Sequence, residues 1–197
     1  MARDTTQRRA ELREKLIDIA EEEIRRNGLS SLRARALADK AGCAVGAIYN
    51  VFDDLTGLIL AVNGRTFGRM GSEVAEAVRE GPSDPVDTMI VMARGYLRFA
   101  RRNPHLWRAL FDVQMTADRD VPRWYLDELQ RLFALIAAPL RELYPKAPAS
   151  EIDLMTRALF SSVHGMVLLG TEHRISAVPE DRIDEMIEFL LTRVTRP

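Results

Sequence analysis

Residues 28–52 read GLSSLRARALADKAGCAVGAIYNVF, and the fold turns on this stretch. Gly28 stands where a preceding helix is normally stopped by a left-handed C-terminal cap. Ser30 and Ser31 then offer an N-cap for a short second helix, over about Leu32–Lys40. Gly42 breaks that helix, and a third runs over about Val45–Val51. A recognition helix held rigidly in a major groove needs three short helices around one core. It also needs a tight turn, and a small residue where the second and third helices approach. Ala38 lies on the second helix, Gly42 four residues on in the turn, and Ile48 six beyond that. These positions suit two buried contacts and a glycine turn. Ala-x-x-x-Gly is common by chance, so the spacing alone decides nothing.

Outward from this stretch the pattern stays helical, with no strand-like alternation between hairpin signals. A first helix is predicted over about Thr6–Asn27, with Leu12, Leu16, Ile19, Ala20 and Ile24 on one face. Asp54 caps a fourth, Leu55–Arg79, and Glu80-Gly81-Pro82-Ser83-Asp84-Pro85 punctuates the chain. There Asp84 is the N-cap and Pro85 the first helical residue of a fifth helix ending near Arg102. Asn103-Pro104 opens a short sixth helix, and Val121-Pro122 precedes a seventh over Arg123–Leu143. Ser150 caps an eighth, Glu151–His173, and Pro179 starts a ninth, Glu180–Thr195. The expected fold is all-α: a three-helix head over residues 1–54, then a larger helical bundle over 55–197.

With 47% apolar residues the chain can bury a real core. The single cysteine, Cys43, excludes an internal disulfide framework and fits a reducing cytoplasm. No apolar run approaches the roughly 18 residues of a membrane span, and the polar start MARDTTQRR is no secretory signal. A cytoplasmic protein with no membrane partner is expected. The net charge of −1 hides an asymmetry. Residues 1–52 hold ten Lys and Arg against eight Asp and Glu, a net +2, and the remainder is −3. The excess sits on an arm with Arg3, Arg8, Arg9 and Arg13, a local basic face of the kind phosphate binding needs. A solvated tail would look the same.

The wider string is more specific. Gly28-Leu29-Ser30-Ser31-Leu32, Arg35-Ala36-Leu37-Ala38, Ala41-Gly42, Gly46-Ala47-Ile48-Tyr49 and Phe52 resemble the DNA-binding domain of the TetR family over roughly residues 10–60. The resemblance implies a homodimeric bacterial repressor that binds double-stranded operator DNA. It implies that Tyr49 sets its hydroxyl on a phosphate, although a purely packed ring is the plain alternative. Ser31, Arg33 and Arg35, with Arg8 and Arg9 on the arm, would meet the backbone or a base edge. Ala44, Val45, Ala47 and Asn50 would form the recognition surface, and Phe52 would plug the core. Many relatives have Ser, Thr or Ser, and Lys where this chain has Ala44, Ala47 and Leu55. Each departure removes a phosphate contact. Val45 and Ala47 can touch thymine methyls instead, and Asn50 can read adenine or bond a phosphate.

The body is rich in bulky, adaptable side chains. Met89, Met92 and Tyr96 share a face of the fifth helix; Trp107, Phe111 and Met115 lie on or beside the sixth; Trp124 and Phe133 lie on the seventh. Such residues line sites for varied apolar ligands, and they equally build plain cores. Tyr96-Leu97-Arg98-Phe99-Ala100, Asn103-Pro104, Leu110-Phe111 and Phe160 with Val163-His164-Gly165 look like the Trp-His-Gly type of TetR C-terminal domain, with Phe160 where that type has Trp. This implies a small, mainly apolar effector. His164 either orients its polar group or is a hydrogen-bonded structural histidine. Leu159, Val163 and Met166 on the eighth helix, with Ile183, Met186, Ile187 and Leu190 on the ninth, form stripes at intervals of three and four. They suit an isologous four-helix dimer interface or an intrachain core. Gly57, Gly64, Gly68 and Gly71 in the fourth helix each cost up to about 1 kcal/mol against Ala, and close packing or a ligand-driven displacement would explain them.

No catalytic constellation is legible: His105, His164 and His173 have no metal-ligand spacing, and no phosphate-cradling glycine loop occurs. No enzyme activity, metal or cofactor is expected. The rival reading is a helical small-molecule-binding dimer with little DNA affinity. Activation rather than repression is not distinguishable at this level.

Overall fold

The computed structural model describes residues 2–79, 81–113, 121–172 and 179–195. Its helices are α1 (Ala2–Asn27), α2 (Ala34–Ala41), α3 (Val45–Val51), α4 (Leu55–Arg79), α5 (Pro85–Arg102), α6 (Pro104–Asp112), α7 (Arg123–Leu143), α8 (Ala149–Thr171) and α9 (Ile183–Val194). Short 3₁₀ turns stand at Leu29–Ser31 and Glu180–Arg182, and no strand occurs among the described residues. The all-α expectation holds.

Several boundaries differ for local reasons. The first helix begins at Ala2 rather than near Thr6, so Arg8 and Arg9, inside the predicted span as well, stand in its second turn and beyond. Ser30 and Ser31 do not cap α2. They form the 3₁₀ turn, and the N-cap is Arg33. Likewise α8 starts before Ser150, behind Pro148, and the predicted end at His173 lies outside the described residues. The other caps follow chemistry. The Asp54 carboxylate accepts from the Gly57 N–H at 2.8 Å, and that of Asp84 from Val86 and Asp87 at 2.9 and 3.0 Å.

The chain divides into two compact units: Met1–Gly68 with Asn103–Tyr125, and Arg69–Arg102 with Leu126–Pro197. The expected boundary between residues 54 and 55 is therefore not where the contacts divide. In the first unit, one apolar cluster joins Leu16, Ile17, Ala20 and Ile24 of α1 to Leu37, Ala38, Ile48 and Phe52. It also takes in Leu58, Ala61 and Val62 of α4 and Leu106 and Ala109 of α6. The three-helix head thus completes its core with α4 and α6, because α1, α2 and α3 alone cannot cover their apolar faces. Polar ties run alongside. Arg65 of α4 reaches Glu14 and Asp18 of α1 at 2.5 Å each, and Lys40 of α2 reaches Glu23 of α1 at 2.5 Å. That lysine, with Asn27, holds the Glu23 carboxyl below the usual range.

In the second unit α5 packs on α8 and α9, and α8 on α9. Arg94 of α5 bonds Asp184 of α9 through Nε and Nη2 at 2.8–3.1 Å, and Glu188 at 2.9 Å. By length and composition α8 is apolar enough to cross a membrane. In this unit Ile152, Thr156, Leu159, Val163 and Val167 of α8 are buried.

Candidate functional site

The turn between α2 and α3 sets the geometry of the head. Gly42 takes φ 69°, ψ 37°, the left-handed conformation that a side chain resists. Its N–H meets the Asp39 carbonyl at 3.3 Å, and the Cys43 N–H meets the Ala38 carbonyl at 3.0 Å. This paired closure satisfies the last carbonyls of α2 and launches α3 at a fixed angle. Ile48 then lies fully buried and anchors α3, with Ala38 buried beside the turn and Phe52 sealing the end. The opposite face of α3 points outward. Tyr49 is 46% exposed and Val45 38%, Ala44 and Asn50 are exposed, and Ala47 is half-buried. A seven-residue rod is held from one side and bare on the other.

The flanking residues divide into two sets. Arg8, Arg9 and Arg35 are exposed. Ser31 and Arg33 are partly spent within the loop: the Ser31 hydroxyl donates to the Gly28 carbonyl at 2.7 Å, and Arg33 Nη1 donates to the Ser30 and Leu32 carbonyls at 2.7 and 2.8 Å. Both brace the turn that precedes α2. Ala44, the N-cap of α3, has no side-chain group to close that helix end.

The residues proposed to line an effector site fall in two places. In the second unit Tyr96, Phe133, Phe160 and His164 form one cluster. The Tyr96 hydroxyl and His164 Nδ1 are 2.7 Å apart, and Phe160 stacks on the imidazole at 5.6 Å and 14°. Phe133 meets the edge of Phe160 at 5.2 Å. Burial holds the imidazole below its ordinary pKa, so it is neutral near pH 7. Met89 and Met92 are buried on α5. In the first unit Trp107 and Phe111 pair edge to face at 5.5 Å, and Trp124 lies against Gly64. Met115 lies outside the described residues.

Four of the residues expected at a dimer interface are corrected by burial. Leu159, Val163, Ile183 and Ile187 fill the core of a single chain, because these stripes face α5 and one another. Met166, Met186 and Leu190 remain half-buried. The large apolar side chains left exposed on these helices are Leu154 (68%), Leu169, Phe189 (66%) and Val194. Sequence periodicity found the inward face; only chain packing separates it from the outward one. Asn63, Thr66 and Arg65 on α4 were also missed, although an Asn directly following the apolar run Leu58–Val62 was a visible signal. Among the described residues no His, Cys, Asp and Glu group is arranged to hold a metal.

Residues 89–194, more than half of the chain, match the family model described as a tetracyclin repressor-like C-terminal domain. The chain belongs to the TetR family of transcriptional regulators. That TetR description stops short of the Trp-His-Gly type. Over 122 residues, 62% of this chain, it is 26% identical to the HTH-type transcriptional repressor KstR of Mycobacterium tuberculosis, spanning 54% of that protein. The match thus covers about half the length of the repressor. Among solved structures, RolR in complex with resorcinol superposes with a TM-score of 0.71 at 21% identity, covering 96% of this chain and 89% of that one. FadR of Bacillus subtilis in complex with stearoyl-CoA gives 0.70 at 15% identity, covering 91% and 97%. At such identities the likeness is one of TetR fold.

Proposed function

We propose that this TetR-family chain is a DNA-binding transcriptional regulator, a dimeric repressor that grips a palindromic operator and releases it when a small, mainly apolar effector binds. The observation that carries the reading is α3, locked to the head by Ile48 while Tyr49, Val45 and Asn50 stand exposed along its free side. Arg35, Arg8 and Arg9 supply phosphate partners, and Ser31 and Arg33 hold the loop as well as approaching the backbone. A palindromic site needs two heads about one helical turn apart, so pairing belongs to the function. The pairing surface we assign is the outward face of α8 and α9. On α8, Leu154, Ala158, Ser161, Gly165 and Leu169 follow one another at helical spacing, and Phe189 and Val194 stand out on α9. Effector contacts are assigned within each unit by itself: the Tyr96–His164 pair with Phe133 and Phe160 in the second, and Trp107, Phe111 and Trp124 in the first. Two proteins of the same fold carry ligands, resorcinol and stearoyl-CoA, which supports an effector-responsive body.

The test is a mobility-shift and footprinting experiment with DNA from upstream of the chain's own gene. A two-fold symmetric footprint that weakens modestly with salt is expected, since Ala44, Ala47 and Leu55 forgo phosphate contacts and the arginines carry the rest. Absence of any specific shift at low salt, with a dimer present, would favour the rival ligand-binding dimer, for which the bare Ala44 cap and apolar Ala47 and Leu55 speak.

A further inference from the structure

We propose that Asn63 of α4 is the polar anchor of an effector site within the first unit, and that the effector it takes is a neutral aromatic molecule bearing a hydroxyl group. The inference rests on the reading of the chain as an effector-responsive regulator and names the ligand chemistry. Asn63 has no exposed surface. Its Nδ2 donates to the Ala109 carbonyl at 2.9 Å. That carbonyl belongs to the last turn of α6, and Asn63 brings it a side-chain donor from α4. The bond fixes the amide's orientation, and it leaves Oδ1 buried with no hydrogen-bond partner among the described residues. A helix-capping role explains the nitrogen and not the oxygen. Buried carbonyl oxygens are normally paired, and leaving one unpaired is costly.

Aromatic rings pack beside the residues that follow Asn63 on α4. The Trp124 ring sits so close to Gly64 that a Cβ there would stand 2.8 Å from Cζ3. Phe67, one turn further along α4, meets Tyr125 at 5.4 Å and 64°, and Trp124 meets Tyr125 at 5.7 Å and 84°. Burial pushes the Tyr125 phenol up, and hydrogen bonding to the Asn63 side chain eases it. Thr66 is already committed, its hydroxyl donating to the Val62 carbonyl at 3.0 Å. The open hydrogen-bonding capacity is therefore an acceptor, which demands a ligand donor. None of Asn63, Gly64, Thr66, Phe67, Ala109, Trp124 and Tyr125 is a charged residue, so a cation would go uncompensated and an anion would face Oδ1. A neutral O–H on a flat ring fits, the ring taking edge-to-face contacts from Trp124 and Tyr125. Trp124 is 44% exposed, so its ring reaches solvent. Because Ala109 belongs to the apolar cluster of the head, a ligand that pulls on this amide acts on an element the head is built from.

The test uses the full-length protein without DNA, titrated with phenol and with anisole, its methyl ether, while the indole resonance of Trp124 is followed by NMR. Trp124→Phe assigns that resonance. Phenol is expected to shift it with an affinity about tenfold tighter than anisole, and Asn63→Val is expected to erase the difference. Equal binding of the two probes, binding of neither, or a preference that survives Asn63→Val overturns the proposal and leaves Asn63 as a helix cap only. Should Asn63→Val fail to fold, the phenol and anisole comparison on the unaltered protein decides. Operator binding is measured separately, so a protein that binds phenol but no DNA would refute the regulator reading and spare this site.

Discussion

At the scale of single residues, Tyr49 and Ile48 sit side by side in the sequence and do opposite work. Ile48 is wholly buried, and a change to Ala would open a cavity costing about 2–5 kcal/mol. Tyr49 is half in solvent, so Tyr49→Phe should leave the melting temperature unchanged and weaken operator binding about three- to tenfold. Fluorescence anisotropy alongside thermal denaturation checks both halves. An equal affinity would mean that the ring, not the hydroxyl, matters. The buried residues of the head, Ala38, Ile48 and Phe52, were legible in the sequence because burial follows helical spacing. Ser31 and Arg33 were only half legible. Their side chains match phosphate contacts by type, yet the loop's carbonyls at Gly28, Ser30 and Leu32 lie within their reach, and the side chains donate to them.

At the scale of elements, α4 shows what a sequence can and cannot disclose. Its four glycines invite one explanation, but the structure gives them different surroundings. A methyl at Gly64 would stand 2.8 Å from the Trp124 ring and one at Gly71 3.0 Å from Leu132, whereas Gly57 has ordinary contacts and Gly68 meets nothing within 4 Å. Gly68→Ala should therefore stabilise the protein by up to about 1 kcal/mol, through helix propensity and a stiffer unfolded chain. Gly64→Ala should not, since it must displace Trp124; urea denaturation of the two variants tests the contrast. The clasp between α5 and α9 makes a prediction in pH. The Arg94 guanidinium holds the Asp184 carboxyl below its ordinary value. Its stabilisation is thus complete above the unfolded carboxylate's pKa and lost as pH falls through the lower folded one. Both groups are more than a third exposed, so solvent screening limits the pair to about 1 kcal/mol. Asp184→Asn should cost that much at pH 7, and the deficit should vanish near pH 2. A deficit that persists in acid would show that the residue acts by packing. Neither the clasp nor the cap from Asn63 to α6 was legible, because each joins residues tens of positions apart and neither follows a periodicity.

At the scale of the whole molecule, the number of helices and their approximate limits came from punctuation by Gly, Pro, Asp and Asn, while the division into units did not. Which face of α8 and α9 turns outward was equally hidden, since both faces are apolar at helical spacing. Phe189→Glu places a charge on the outward face without touching the core beneath it. On the proposed pairing surface, the variant is expected to sediment as a monomer and the parent as a dimer at the same concentration, with helical content kept and operator binding at least about tenfold weaker. A variant that still pairs would move the interface elsewhere. Finally, the head's apolar cluster draws Leu106 and Ala109 from α6, about 50 residues beyond Phe52. During synthesis, then, the first three helices emerge with a sticky seam uncovered and must wait, for seconds at ordinary elongation rates, until α6 clears the ribosome. A truncated DNA-reading fragment would carry that seam permanently, and a nascent chain is a substrate for chaperones until the sixth helix arrives.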